Sequence, residues 1–179
     1  MKASILSLAL FFLTSNTYAE QSYFFKMNNS KFSEVEKILQ DVDTSASCFR
    51  NSCKIWAWID KNEQRFHLYL DGVLTFSWKT STGRWGFETP DMDTRPNGRI
   101  YIKHTSIKYK EGDYNGLGNM PFSVFVDGEI AIHGSIRESW WRLGTSASHG
   151  CIRLHPDNAE IFNYLVRTKG IRNVWITIN

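Results

Sequence analysis

Residues 55–78 place the strongest constraint on how this chain can fold. Three runs, Ile55-Trp56-Ala57-Trp58-Ile59, Phe66-His67-Leu68-Tyr69-Leu70 and Val73-Leu74-Thr75-Phe76-Ser77-Trp78, follow one another with only turn signals between them. Their β-branched and aromatic residues suit a pleated, half-buried surface. Asp60 to Gln64 reads as the first turn and Asp71-Gly72 as a tight hairpin. Connections this short leave no room for a crossover helix, which predicts antiparallel pairing and argues against an alternating α/β sheet. The pattern returns at 98–102, at 122–126 and, after Asp127-Gly128, at 130–132. The expectation is a mainly β domain, a mostly antiparallel sandwich or barrel.

One late helix joins this pattern. Pro156 suits a first helical position and Asp157 the first turn, with Ile161, Leu165 and Val166 on one apolar face and Gly170 as the stop. Residues 174–178 read as a closing strand. With no internal repeat and no linker, 54–179 is expected to form a single domain.

The first 19 residues have a different character. Lys2, the apolar stretch 5–13 and Thr17-Tyr18-Ala19 read as a cleavable secretory signal peptide, giving a periplasmic location. That stretch is too short to span a bilayer, and no cysteine lies near the cleavage point to carry a lipid. In the following segment, 20–53, Phe32, Val35, Ile38, Leu39 and Val42 fall on one helical face and predict a short N-terminal helix over 30–42. Cys48 and Cys53 come next. Export permits disulfides, so the pair reads most simply as a bridge closing a small loop, with two free thiols as the other option. A formal net charge of +3 without a clustered basic patch does not suggest nucleic-acid binding.

Chemistry concentrates in Ile132-His133-Gly134-Ser135 and Ser148-His149-Gly150-Cys151-Ile152-Arg153-Leu154. A lone cysteine is more often packing than chemistry, but Cys151 sits in a polar, glycine-containing turn. Thiol chemistry needs a base or cation within reach. His133, at the end of a strand, is the candidate base. His149 is a poorer one, because its place suits shaping the turn. Successive amides at His149, Gly150 and Cys151 can converge on an oxyanion. The histidines at 67, 104, 133, 149 and 155 show no H-E-x-x-H pair, and no C-x-x-C pair accompanies them, so neither a metal nor any other cofactor is expected.

His133, a 14-residue gap and then Ser148-His149-Gly150-Cys151 resemble the signature of the YkuD-type L,D-transpeptidase family. Ser81-Thr82-Gly83, Pro96-Asn97-Gly98-Arg99-Ile100-Tyr101, Met120-Pro121-Phe122 and Asp127-Gly128 resemble that domain's other landmarks, in the same order. The resemblance implies a mainly β catalytic domain over 54–179 and cysteine acyl transfer on peptidoglycan stem peptides. Cys151 would be the nucleophile and His133 the general base and acid, with a pKa near neutrality suiting that role. The Gly134 carbonyl would orient His133, and amides around Gly150 and Cys151 would hold the oxyanion. Ser148 and His149 would shape the site, and Arg153 would meet a substrate carboxylate or form a structural ion pair. The acceptor implied is a second stem, a wall-attached protein or another amine; water would make the enzyme a carboxypeptidase or an amidase instead. Trp140-Trp141-Arg142, in the bridge between His133 and Cys151, would cap the groove or anchor the loop.

Overall fold

A computed structural model describes residues 48–179. The signal peptide and the helix expected over 30–42 lie outside the described residues. The chain runs β1 (Ile55–Asp60), β2 (Arg65–Leu70), β3 (Val73–Lys79), β4 (Met92–Thr94), β5 (Ile100–Tyr101), β6 (Ser123–Asp127), β7 (Ile130–Gly134), β8 (Ile152–Leu154), α1 (Pro156–Lys169) and β9 (Val174–Ile178). Two open sheets result, one ordered β3-β2-β1-β9-β4 and the other β5-β6-β7-β8.

The first three strands form the expected antiparallel meander, with Trp56 opposite Tyr69 and His67 opposite Ser77. Asp71 and Gly72 both hold positive φ, at 47° and 78°, the backbone a tight two-residue hairpin needs. Every second residue of β1 is buried, so Ile55, Ala57 and Ile59 enter the core. Trp56 and Trp58 lie on the opposite face, where Trp56 stacks on Tyr69 at 4.5 Å. α1 packs on β5, β6 and β7 and sends Phe162 edge-on against Phe66 of β2, 5.2 Å between ring centres.

Two pairings within this mostly antiparallel arrangement are parallel. β9 runs parallel to β1, and β8 runs parallel to β7. Both are reached by long connections, through α1 in the first case and through residues 135–151 in the second, which is what parallel pairing requires. The parallel β7–β8 pair creates the site described below.

Cys48 and Cys53 are disulfide-bonded. The loop they close is fixed to the first sheet by Arg50, which pairs with Asp93 at 2.9 Å, and by Phe49, whose ring meets Trp175 at 4.8 Å. A second clamp joins the two sheets. Gln64 is buried and accepts from the Thr82 amide at 2.8 Å while its own amide donates to Thr82 Oγ1 at 2.7 Å. That clamp holds segment 80–84 in place beside β8.

Candidate active site

β7 and β8 pair so that His133 stands opposite Arg153. On the other side of Arg153, Ser81 forms an antiparallel bridge with it, its amide donating to the Arg153 carbonyl at 3.0 Å and its carbonyl accepting from the Arg153 amide at 2.9 Å. Residues directly opposite on paired strands share a face, as do residues two apart along one strand. His133, Arg153 and Ser81 therefore share one face, and Cys151 sits in the bend just before β8, against Ala131 of β7, two residues before His133. Cys151 packs against Met120, Phe125 and Ala131 and points its thiol at the Glu129 carbonyl, 3.5 Å away.

His133 is buried, and its Nδ1 lies 2.8 Å from the Gly134 carbonyl oxygen. A carbonyl only accepts, so Nδ1 carries the proton and Nε2 is left as the basic nitrogen. Burial pushes the imidazole pKa down to about 4, with nearby Arg153 and His104 acting the same way and the Gly134 carbonyl opposing. This differs from the near-neutral value expected from sequence, because the ring is taken out of water without an acidic partner. Burial also raises the Cys151 thiol above its ordinary range, reinforced by Glu129 and opposed by the Ala131 amide and Arg153. At neutral pH the pair rests as thiol and neutral imidazole rather than as a thiolate.

The turn bearing Cys151 is held from inside and outside. Ser148 is fully buried; its hydroxyl donates to the Cys151 carbonyl at 2.6 Å and accepts from the Gly150 amide at 3.0 Å. The Gly150 amide is thereby occupied and is not free for an oxyanion, contrary to the sequence expectation. The amides of His149 and Cys151 carry no hydrogen bond among the described residues and remain as donors. The Gly150 carbonyl accepts from Thr89 Oγ1 at 2.7 Å, and that same hydroxyl accepts from the Gly83 amide at 2.8 Å. Gly83 must lack a side chain here, since a Cβ would come within 1.9 Å of the Phe87 carbonyl oxygen.

His149 does not face the nucleophile as a base. Its ring stacks on Tyr109 at 4.0 Å and meets Phe87 edge-on at 5.1 Å, and burial lowers its pKa. Arg153 forms no ion pair among the described residues; its Nη1 donates only to the Ala147 carbonyl, at 3.4 Å. In the bridge between His133 and Cys151, Trp140 anchors the loop, donating to the Ser135 carbonyl at 3.0 Å and packing on His155, while Trp141 is 75% exposed.

Sequence reading passed over Arg84, Phe87, Thr89 and Tyr109. They come from two loops distant in sequence, and no local period marks them. The one signal was their neighbour, Ser81-Thr82-Gly83, whose landmark status pointed at this loop.

The family model for the YkuD L,D-transpeptidase catalytic domain matches residues 54–176. No curated protein sequence matches the chain. Among solved structures, the chain is similar to an L,D-transpeptidase from Mycobacterium smegmatis, with 22% identity and a TM-score of 0.59 over 71% of this chain and 59% of that one. It is also similar to L,D-transpeptidase 3 from Mycobacterium tuberculosis in complex with a faropenem-derived adduct, at 18% identity, TM-score 0.53, 71% and 60% coverage. An L,D-transpeptidase from Stackebrandtia nassauensis matches at 18% identity and TM-score 0.55, over 80% and 63%. The chain thus spans about six-tenths of the length of these structures, and their likeness is one of fold. The family-model match covers most of the chain, from β1 into β9, with the His133 and Cys151 segments inside it: the protein belongs to the YkuD family of L,D-transpeptidase catalytic domains.

Proposed function

We propose that this chain is a cysteine-dependent L,D-transpeptidase acting on peptidoglycan tetrapeptide stems. The observation that carries the reading is the pairing of β7 with β8, which sets Cys151 against Ala131 and His133 opposite Arg153, with the Gly134 carbonyl fixing the imidazole tautomer. His133 Nε2 takes the thiol proton as Cys151 Sγ attacks the carbonyl of the third residue of the stem. The amides of His149 and Cys151 receive the developing oxyanion. The C–N bond to the terminal residue breaks, His133 returns its proton to the departing amine, and a thioester remains. An acceptor amine then attacks the thioester, forming an amide and releasing the thiol.

Neutral resting partners suit this sequence, because no charge is buried until the attack itself forms one. Residues 1–19 would direct export to the periplasm, in keeping with a disulfide at 48–53. Residues 20–53 would precede the catalytic unit 54–179, with the acceptor a second stem or a wall-attached protein. Incubation of the protein with a defined tetrapeptide stem, with and without an amine acceptor, followed by mass spectrometry of the products tests the reading. The expected product with acceptor is an amide adduct lacking the donor's terminal residue. Formation of the free tripeptide alone, at a rate the acceptor does not change, would make the protein a carboxypeptidase. No turnover of the stem would overturn both.

A further inference from the structure

The Cys151 thiol donates to the Glu129 carbonyl oxygen, 3.5 Å away. Gly128 and Glu129 are the only residues between β6 and β7, so that oxygen belongs to the hairpin turn joining them. The ladder is interrupted just before this turn. Its register shifts between Phe125 and Asp127, and Gly128 is left-handed, with φ at 48°. Arg99 holds the turn from outside. Its guanidinium donates to the Gly128 carbonyl through Nη2, and to Glu129 Oε1 through Nη1 at 3.0 Å. The same guanidinium lies 4.0 Å over the Phe125 ring, and Phe125 belongs to the buried cluster against which Cys151 packs. The Arg99 backbone is pinned as well, its carbonyl accepting from the Phe125 amide at 2.9 Å and its amide donating to Asn97 Oδ1 at 3.0 Å. One side chain therefore touches both the turn that receives the thiol and the ring beside it. Stability is a poor reason for this arrangement. The Glu129 side chain is 83% exposed, and an ion pair in that much water contributes little.

We propose that Arg99 is a positioning residue for the nucleophile: by fixing the β6–β7 turn it keeps the Glu129 carbonyl where it receives the Cys151 thiol, and so holds the sulfur in one rotamer. The effect on rate rests on the transpeptidase reading; the effect on the resting thiol does not. A cysteine side chain has three staggered positions about its Cα–Cβ bond, and a weak S–H donor selects one only if its acceptor stays still. With the sulfur fixed, rotation about Cβ–Sγ re-aims the proton without moving the attacking atom. Glu129 also raises the thiol pKa, and Arg99 is the cation its carboxylate meets, so loss of Arg99 leaves a negative charge unmatched beside the sulfur. Lysine in place of Arg99 keeps the charge but has no fork, and cannot bridge the Gly128 carbonyl and the Glu129 carboxylate in the same way.

The test reads the thiol directly. The chain has three cysteines and two are bonded to each other, so its S–H stretching band in the infrared comes from Cys151 alone. That band lies at lower frequency when the thiol donates a hydrogen bond. In the full chain without substrate, Arg99→Met should move it up towards a free thiol and broaden it. Arg99→Lys should fall between, and carries the test should Arg99→Met not fold. Glu129→Gln keeps the main-chain carbonyl and the Arg99–Gly128 bond, and should leave the band near its native place. Acylation by a tetrapeptide stem, followed by intact-protein mass spectrometry, should slow in Arg99→Met by about three- to tenfold in its limiting rate. One productive rotamer in three gives the lower figure and a displaced turn the upper. The donor concentration giving half that rate should stay near the native value, because Arg99 acts through the turn and not on the donor. An unmoved band in Arg99→Met would overturn the proposal, as would a native limiting rate or a loss confined to the half-saturating concentration. A band displaced as far in Glu129→Gln as in Arg99→Met would put the effect in the ion pair rather than the turn, and would overturn it too. Absence of any thioester on the native protein would overturn the transpeptidase reading, while the band would still decide whether Arg99 holds the thiol.

Discussion

Burial acts on His133 and Cys151 in the same sense, holding each in its neutral form at neutral pH. The thioester-forming rate should therefore stay level from pH 7 to about 5.5 and fall only as His133 takes a second proton near pH 4. A stopped-flow pH profile of kcat/KM checks this; an acid limb centred near 6.5 would contradict it. The same shift bears on stability. Unfolded histidine titrates near 6.5 and native His133 near 4, so the unfolded chain binds the extra proton between those values. The contribution is intact above pH 6.5 and is lost as pH falls towards 4, amounting to about 3 kcal/mol. Urea unfolding at pH 7 and pH 4.5 should show this slope in the native protein, and His133→Gln should lack it.

At the scale of elements, Thr89 links the 83–89 loop to the catalytic turn through Gly83 and Gly150. Thr89→Val keeps the shape and removes both bonds, leaving a buried amide and a buried carbonyl unpaired. A loss of about 2–4 kcal/mol is expected in chemical unfolding, together with slower acylation of Cys151. On α1, Glu160 is pushed up to about 7 by burial and by Asp157. Its folded pKa is raised, so its contribution is present below pH 4.5 and is lost as pH rises through 7. Glu160→Gln should then raise the free energy of unfolding at pH 8 by about 1–2 kcal/mol, read as a higher thermal midpoint, and leave it nearly unchanged at pH 4. What could be read ahead divides along the same line. β1 to β3 were legible because Trp56, Tyr69 and Trp78 lie in alternating runs bounded by Asp71-Gly72. β4 and β8 were not, since three residues such as Met92-Asp93-Thr94 carry no period and become strands only by pairing with β9 or β7. Cys151 and His133 were legible as chemistry. The Gly150 amide was misread because only the folded turn brings the Ser148 hydroxyl onto it.

For the molecule as a whole, the Cys48–Cys53 bridge closes a five-residue separation and fastens its loop to the sheet away from the β7–β8 face. Closure of so short a loop contributes about 2 kcal/mol by chain entropy. A Cys48→Ser/Cys53→Ser variant should melt a few degrees lower in calorimetry while forming the Cys151 thioester at the native rate. A large loss of acylation in that variant would mean that the bridge shapes the site. The two sheets, joined by Gln64 and by α1, exist in this reading to set one nucleophile against β7.

The most direct measurement is the mass of the intact protein after mixing with a tetrapeptide stem and rapid acid quench. The native chain should gain the mass of the donor less the terminal amino acid it releases, located by peptide mapping on Cys151, while Cys151→Ala should gain nothing. The same adduct on Cys151→Ala, or turnover of the stem by Cys151→Ala at the native rate, would contradict a Cys151 thioester.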